Sequence, residues 1–188
     1  GYLNSNLTKF CLSLLNPTLN FSSGVIANLP MPYIKYDKKQ QIIDLVIQNV
    51  NISKRDWDDF ETSIDYKKHP LVFYNQQNIN KLSDSFINWT NFTERQFKKL
   101  KQNEEMLNII INQISGVSND IEFKVDDYDI TINKADRSRD IRSFISYAVG
   151  CMFGRYSLDE DGLLFAGGQF NLSIYKTFIP VENNILPI

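Results

Sequence analysis

The stretch "RSFISYAVGCMFGRYSLDEDGLLFAGG", residues 142 to 168, narrows the possible folds more than any other part of the chain. Its unbroken apolar core, residues 144 to 153, is about half the length a bilayer-spanning helix needs, so membrane insertion is excluded for it. Ile141, Phe144, Ile145, Ala148, Val149, Met152 and Tyr156 share one stripe at helical spacing. Ser143, Ser146, Gly150 and Gly154 shave the roughly opposite face, and we expect a second helix or another backbone to press against it. The acids of "SLDEDGLL" lack the alternating oxygen ligands and terminal Glu of a calcium loop. They read as a helix-ending turn in which Gly162 takes positive φ. "AGG" is too short to cradle a phosphate, and no Lys-Ser/Thr follows it.

Helical spacing recurs elsewhere. Leu3, Leu7, Phe10, Cys11, Leu14 and Leu15 form one face, and Pro17 ends that helix at Asn16. "NPTLNFSSGVIANLPMPY" then reads as ordered loop with short extended pieces. Asp37 with Gln40 resembles a capping box for a helix carrying Ile42, Ile43, Val46, Ile47 and Val50. Ser53 is spaced as the N-cap of a further short helix, with Ile52 and Trp57 as its hydrophobic staple. In "NFTERQF", Thr93 and Gln96 read as a capping box inside a Phe92–Phe97 staple, opening the longest helix. Its face continues through Leu100, Leu107, Ile110, Ile111 and Ile114, and Gly116 supplies a left-handed cap. A last helix is expected over 136–156.

"IEFKVDDYDITIN", residues 121 to 133, alternates apolar and polar residues around an acidic turn and predicts a β-hairpin. "LLFA" and "FNLSIYKTFI" read as short strands. The expected fold class is therefore mainly α (α+β): about five helices with a small hairpin and short strands.

At 188 residues and 43% hydrophobic, the chain can bury a core as one domain or two small ones. A net charge of −2 gives no general attraction for nucleic acid, so any such contact needs a local patch. Cys11 and Cys151, far apart in helical patterns, read as free thiols in a reducing cytosol rather than a disulfide. Asn-x-Ser/Thr occurs at Asn6, Asn20, Asn51, Asn88, Asn91 and Asn171, which in a secreted protein would mark glycosylation. Twenty asparagines account for most of these matches, and no signal peptide or disulfide framework accompanies them. The chain opens on Gly1 with no Met or basic n-region and closes on "NNILPI" with no helix stop; we expect a piece of a longer protein.

No self-sufficient active site is visible. His69 is the single histidine and sits before Pro70, a structural setting more often than a catalytic one. Paired Cys/His zinc spacing, Gly-x-Ser-x-Gly and a Rossmann glycine signature are all missing. Asp58–Asp59 and Asp126–Asp127 read as solvated surface. Cations do cluster, as Lys35, Lys38 and Lys39, as Lys98, Lys99 and Lys101, and as Arg137, Arg139 and Arg142. Each cluster is suited to a DNA backbone, yet each also has acids beside it, and ordinary charged helix surface fits composition better.

Longer blocks add what spacing alone does not. "LLNPTLNFSSGVIANLP" resembles the end of the target-recognition region of large adenine-specific DNA methyltransferases. "ISKRDWDDFETSIDYKKHPL", "LKQNEEMLNIII" and "ISYAVGCMFGRYSLDEDGLLFAGG" resemble successive downstream blocks of one such group, the PglX family of BREX phage-defence systems. Ile64 departs from that group's pattern, where an aromatic residue is expected. The resemblance implies that residues 1–35 end the target-recognition region and 36–188 form a mostly helical C-terminal module.

It also implies a bacterial, cytoplasmic parent enzyme that moves a methyl group from S-adenosylmethionine to the N6 of adenine, marking host DNA. The Asn-Pro-Pro-Tyr/Phe motif that holds a flipped adenine, and the glycine-rich cofactor loop, are not in this chain: "NPTL" and "MPYI" each carry only a part of the first. The implied role is non-catalytic, gripping duplex DNA through the three basic clusters. The alternative is an interaction module that docks other phage-defence proteins, with Trp57, Trp89 or Tyr175 as exposed anchors.

Overall fold

The computed structural model describes residues 1–16, 18, 20, 22–75, 81–116 and 121–181. These hold six α-helices: α1 (Asn6–Leu15), α2 (Ser23–Ala27), α3 (Tyr36–Asp58), α4 (Pro70–Phe73), α5 (Leu82–Ser115) and α6 (Arg137–Met152). Three single 3-10 turns, Tyr2–Asn4, Asp127–Asp129 and Leu172–Ile174, complete the regular structure. The chain divides into two compact units, Gly1–Ser53 with Gln96–Thr131, and Lys54–Arg95 with Ile132–Ile188.

The expected β component is absent: the described residues contain no strand. The alternation over 121–133 nevertheless marks partial burial: Val125 and Ile130 in the first unit and Ile132 in the second are buried, while Phe123 is exposed. Asparagine side chains take the place of a partner strand. Asn108 Nδ2 donates to the Phe123 carbonyl at 3.0 Å, Asn112 Nδ2 to Ile121 at 3.2 Å, and Asn6 Nδ2 to both Glu122 and Lys124. Val125 N–H donates to Glu105 at 3.3 Å. Buried backbone must be paired with something, and here the helices supply side chains for it. At the acidic centre the predicted turn is the 3-10 turn Asp127–Asp129. "LLFA" and "FNLSIYKTFI" likewise form no strand; the second contains the turn Leu172–Ile174.

Two expected helix starts are helix interiors. α3 is continuous through Ser53, and Trp57 is 61% exposed, so it staples nothing. Gln40 donates to Asp44 at 2.9 Å instead of closing a box with Asp37, and the first bond of α3 is taken by the Lys35 carbonyl. α5 runs eleven residues before Thr93. Thr93 Oγ1 donates back to the Thr90 carbonyl and accepts from Ala135 N–H, each at 3.1 Å. The buried stripe of α5 begins at Ser85 and Trp89 and carries Thr93, Asn103 and Asn108 among its apolar residues. Those polar members hide the first turns of the stripe from an apolar count. α1 does stop where expected, with Asn16 as its C-cap, though Pro17 itself lies outside the described residues, as do Leu19, Phe21 and the "NNILPI" end. Gly116 takes φ +64 after α5.

In the second unit α6 presents a different face from the predicted one. Asp140, Tyr147, Gly150 and Cys151 are buried, whereas Ile145 is exposed. The helix turns this way because Asp140 accepts from the buried Trp89 Nε1 at 2.9 Å and from Asp136 N–H at 3.0 Å. The shaved face admits a ring and not a helix: a Cβ on Gly150 would stand 2.6 Å from Tyr156 Cδ2. Tyr156 can fold back because α6 ends at Met152 and Gly154 reverses the chain at φ +74. Tyr66, Tyr147 and Tyr156 then pack at 5.1–6.2 Å between centroids, with Cys151 in the same cluster. Trp89 and Tyr175, expected as exposed anchors, are core residues. Both cysteines are free thiols.

Candidate functional site

Acids decide which of the predicted cations stay available. In the first unit Lys101 Nζ is 2.7 Å from Asp127 Oδ1, and that hydrogen bond raises its pKa above the usual lysine value. Lys98 and Lys99, on the exposed side of α5, make no ion pair among the described residues. Lys35, Lys38 and Lys39 straddle the start of α3, with Lys35 and Lys39 exposed, Lys38 half-buried and none in an ion pair among the described residues. The turn Asp127–Asp129 that captures Lys101 also holds Lys9 through Asp129, at 3.0 Å.

The second unit separates its three arginines. Arg139 is structural: Nε binds Asp140 at 2.7 Å, Nη1 binds Asn133 Oδ1 at 3.2 Å and Nη2 binds the Lys134 carbonyl at 2.8 Å. Its guanidinium also lies 5.1 Å from the Phe60 ring. Arg137 and Arg142 stay exposed, make no ion pair among the described residues, and with Ser138 and Ile141 line an open hollow of about 550 Å³ on the first turns of α6.

Sequence reading passed over Arg55. It packs 4.6 Å from the Phe92 ring and donates to Tyr74 Oη at 3.0 Å, so it too serves the fold. Asp59, read as surface, is half-buried, and that burial pushes its carboxyl up to about 7. Its buried Oδ2 has no hydrogen-bond partner among the described residues. His69 caps α4 by accepting from Leu71 N–H through Nδ1 at 3.2 Å, and burial lowers its pKa to about 4. A neutral, capping imidazole buried against Phe144 and Tyr147 is a structural group.

The acids of "SLDEDGLL" also have structural work. Asp159 accepts from the Thr177 hydroxyl and from the Thr177 and Lys176 N–H groups, which together draw its carboxyl down to about 2. Gly162, at φ +84, donates its N–H to the Lys67 carbonyl at 2.7 Å. Among the described residues no three His, Cys, Asp or Glu side chains are grouped to hold a metal ion. No helix among them is long and apolar enough to cross a membrane.

Over 188 residues the chain is 35% identical to the adenine-specific methyltransferase PglX of Lacticaseibacillus casei (strain Zhang). Over 210 residues it is 32% identical to the adenine-specific methyltransferase BrxX of Escherichia coli O9:H4 (strain HS), and each alignment takes in 99% of this chain. The chain matches a segment of PglX-type adenine-specific methyltransferases. It spans 15% and 16% of the lengths of those two relatives. No family model matches it.

Among the described residues no glycine-rich loop opens a helix in the way that would cradle S-adenosylmethionine. Gly167 and Gly168, both at positive φ, are the nearest thing to a glycine-rich loop. They open no helix, being followed by irregular chain and the 3-10 turn Leu172–Ile174. Residues 30–33 lie outside regular structure and carry Pro-Met-Pro-Tyr, without the asparagine that would hold an adenine amino group.

Proposed function

We propose that this chain is a non-catalytic part of an S-adenosylmethionine-dependent, adenine-specific DNA methyltransferase of a BREX-type phage-defence system, and that it grips the duplex backbone. In this reading the remainder of the polypeptide binds the cofactor, flips the adenine and transfers the methyl group to N6. The residues present here add affinity and orientation. Residues 1–35 close the target-recognition region, and the helical part that follows carries the phosphate contacts. The observation behind this reading is a set of exposed cations with no ion pair among the described residues, Lys98 and Lys99 above all, in a chain of net charge −2 similar to adenine-specific methyltransferases. Flexible ammonium groups left without acids are free to displace counterions from phosphates.

Fluorescence anisotropy with a labelled duplex tests it. Binding is expected to weaken steeply as salt rises, by roughly 0.9 log units per log unit of salt for each phosphate neutralised. Lys98→Glu with Lys99→Glu flattens that slope by about two phosphates' worth, whereas Lys101→Gln, whose ammonium already belongs to Asp127, changes it least. Absence of binding at low salt overturns the reading. The interaction-module alternative, docking onto other phage-defence proteins, keeps one of its three anchors: Trp57 is exposed on α3 while Trp89 and Tyr175 are buried.

A further inference from the structure

α3 is 23 residues long, and none of its residues is fully buried. One side of it does pack within the first unit. Ile42 and Val46 stand 3.5 and 3.0 Å from where a Cβ on Gly1 would be, and Asn49 Oδ1 accepts from Asn103 at 2.8 Å. A second apolar stripe points elsewhere. Tyr36, Ile43, Ile47 and Val50 follow at steps of seven, four and three, and they are 85%, 37%, 53% and 59% exposed. Such steps keep side chains on one line of a helix and match the seam along which two helices interlock. A helix with apolar residues on two faces is built to be covered on both. The flanking Asp37, Lys39 and Asp44 are of mixed sign, so the seam selects apolar shape rather than charge.

We infer that the Tyr36–Ile43–Ile47–Val50 stripe seats an amphipathic helix from the remainder of the same methyltransferase polypeptide. The inference rests on the chain being a segment of that longer protein. The chain spans only 15% of the length of its PglX relative, so most of such a polypeptide lies outside it. Area argues against a second copy: four side chains offer roughly 400 Å², against the roughly 800 Å² per partner of a free-standing complex. A tethered helix does not need that area, because tethering supplies an effective concentration in the millimolar range.

The test uses the full-length polypeptide and thiol labelling read by mass spectrometry at single positions. Ile47→Cys and Val50→Cys are made separately, with Gln41→Cys, on an exposed part of α3 off the stripe, as the reference. Labelling at positions 47 and 50 is expected to be about tenfold slower or more than at 41, independent of protein concentration. Equal rates overturn the proposal. So does protection that fades on dilution, which reports a second copy, or protection that appears only when another protein is added. The buried Cys151 monitors folding, and a variant in which it reacts is set aside for amide hydrogen exchange of the unaltered protein over residues 43–50. There, exchange as fast as at residues 38–41 overturns the proposal, and slower exchange supports it. None of these readouts involves DNA, so loss of DNA binding and loss of this interface are separate failures.

Discussion

The two compact units solve one problem, holding irregular chain against helices, with different chemistry. In the unit of Gly1–Ser53 and Gln96–Thr131, neutral amides do it. Asn6, Asn108 and Asn112 bond successive carbonyls of residues 121–124, and Asn103 reaches Gln48 and Asn49 across to α3. In the unit of Lys54–Arg95 and Ile132–Ile188, a single buried carboxylate, Asp140, gathers Trp89, Arg139 and Asp136. Aromatic stacking around Tyr147 supports it. Amide networks spread modest contributions over many bonds and ignore pH. A charged hub concentrates them, because removing it strands one buried and two part-buried donors at once. The first unit should therefore be tolerant of single substitutions and the second brittle.

The harshest test of that contrast is Asp140→Ala, which leaves Trp89 Nε1 and Asp136 N–H without acceptors and Arg139 without its anion. A loss of about 3–5 kcal/mol is expected in urea unfolding followed by Trp89 fluorescence. Survival of the Trp89 transition at its original midpoint would dissolve the distinction between the units.

A second test uses pH. Burial holds the His69 pKa near 4, below its ordinary 6.5. The unfolded chain therefore binds the proton more readily between those values. The contribution of His69 is complete above the ordinary pKa and is lost as pH falls toward 4, on the order of 3 kcal/mol in all. Asp59 works in the opposite sense. Its carboxyl is raised from 3.8 to about 7, so its contribution is present at low pH and is lost as pH rises toward 7. His69→Asn keeps an N-cap acceptor for Leu71 and deletes the first limb. Unfolding free energies measured from about pH 5 to about pH 7 should then fall with pH more steeply than in the unaltered protein. An unchanged profile would mean that His69 titrates normally and is not shut in.

The mildest test sits in the first unit. Asn108→Ala removes the acceptor of Asn6 N–H and the donor to Phe123, and should cost about 1–2 kcal/mol. The loss should be equal at about pH 5 and about pH 8, since neither partner titrates. A loss as large as that of Asp140→Ala would show that an amide can be as much a hub as a carboxylate.

The asparagine content, a mere bias when counted, becomes architecture once these bonds are seen. No local signal could have separated Asn108 from Asn88, because the partners of Asn108 lie 102 and 15 residues away. The same holds for the cations. Lys98, Lys99 and Lys101 look equivalent along the chain until the turn at Asp127 takes one of them, and Arg137, Arg139 and Arg142 look equivalent until Asp140 does.

What the sequence by itself determined is what depends on neighbours within about four residues and on long matched blocks. The existence of helices over α1, the later part of α5 and α6, the left-handed glycines at 116 and 162, and the similarity to PglX-type methyltransferases are of this kind, whereas the faces that α1 and α6 bury are not. Tertiary structure decided whether an alternating segment would find a strand or a row of amides. It also decided whether Ser53 and Thr93 would start helices or lie within them, and which basic side chains would remain free. Those outcomes turn on distant partners for backbone groups and charges. A buried carbonyl or guanidinium takes whatever donor or acid the fold brings to it, and spacing along the chain carries no record of that meeting.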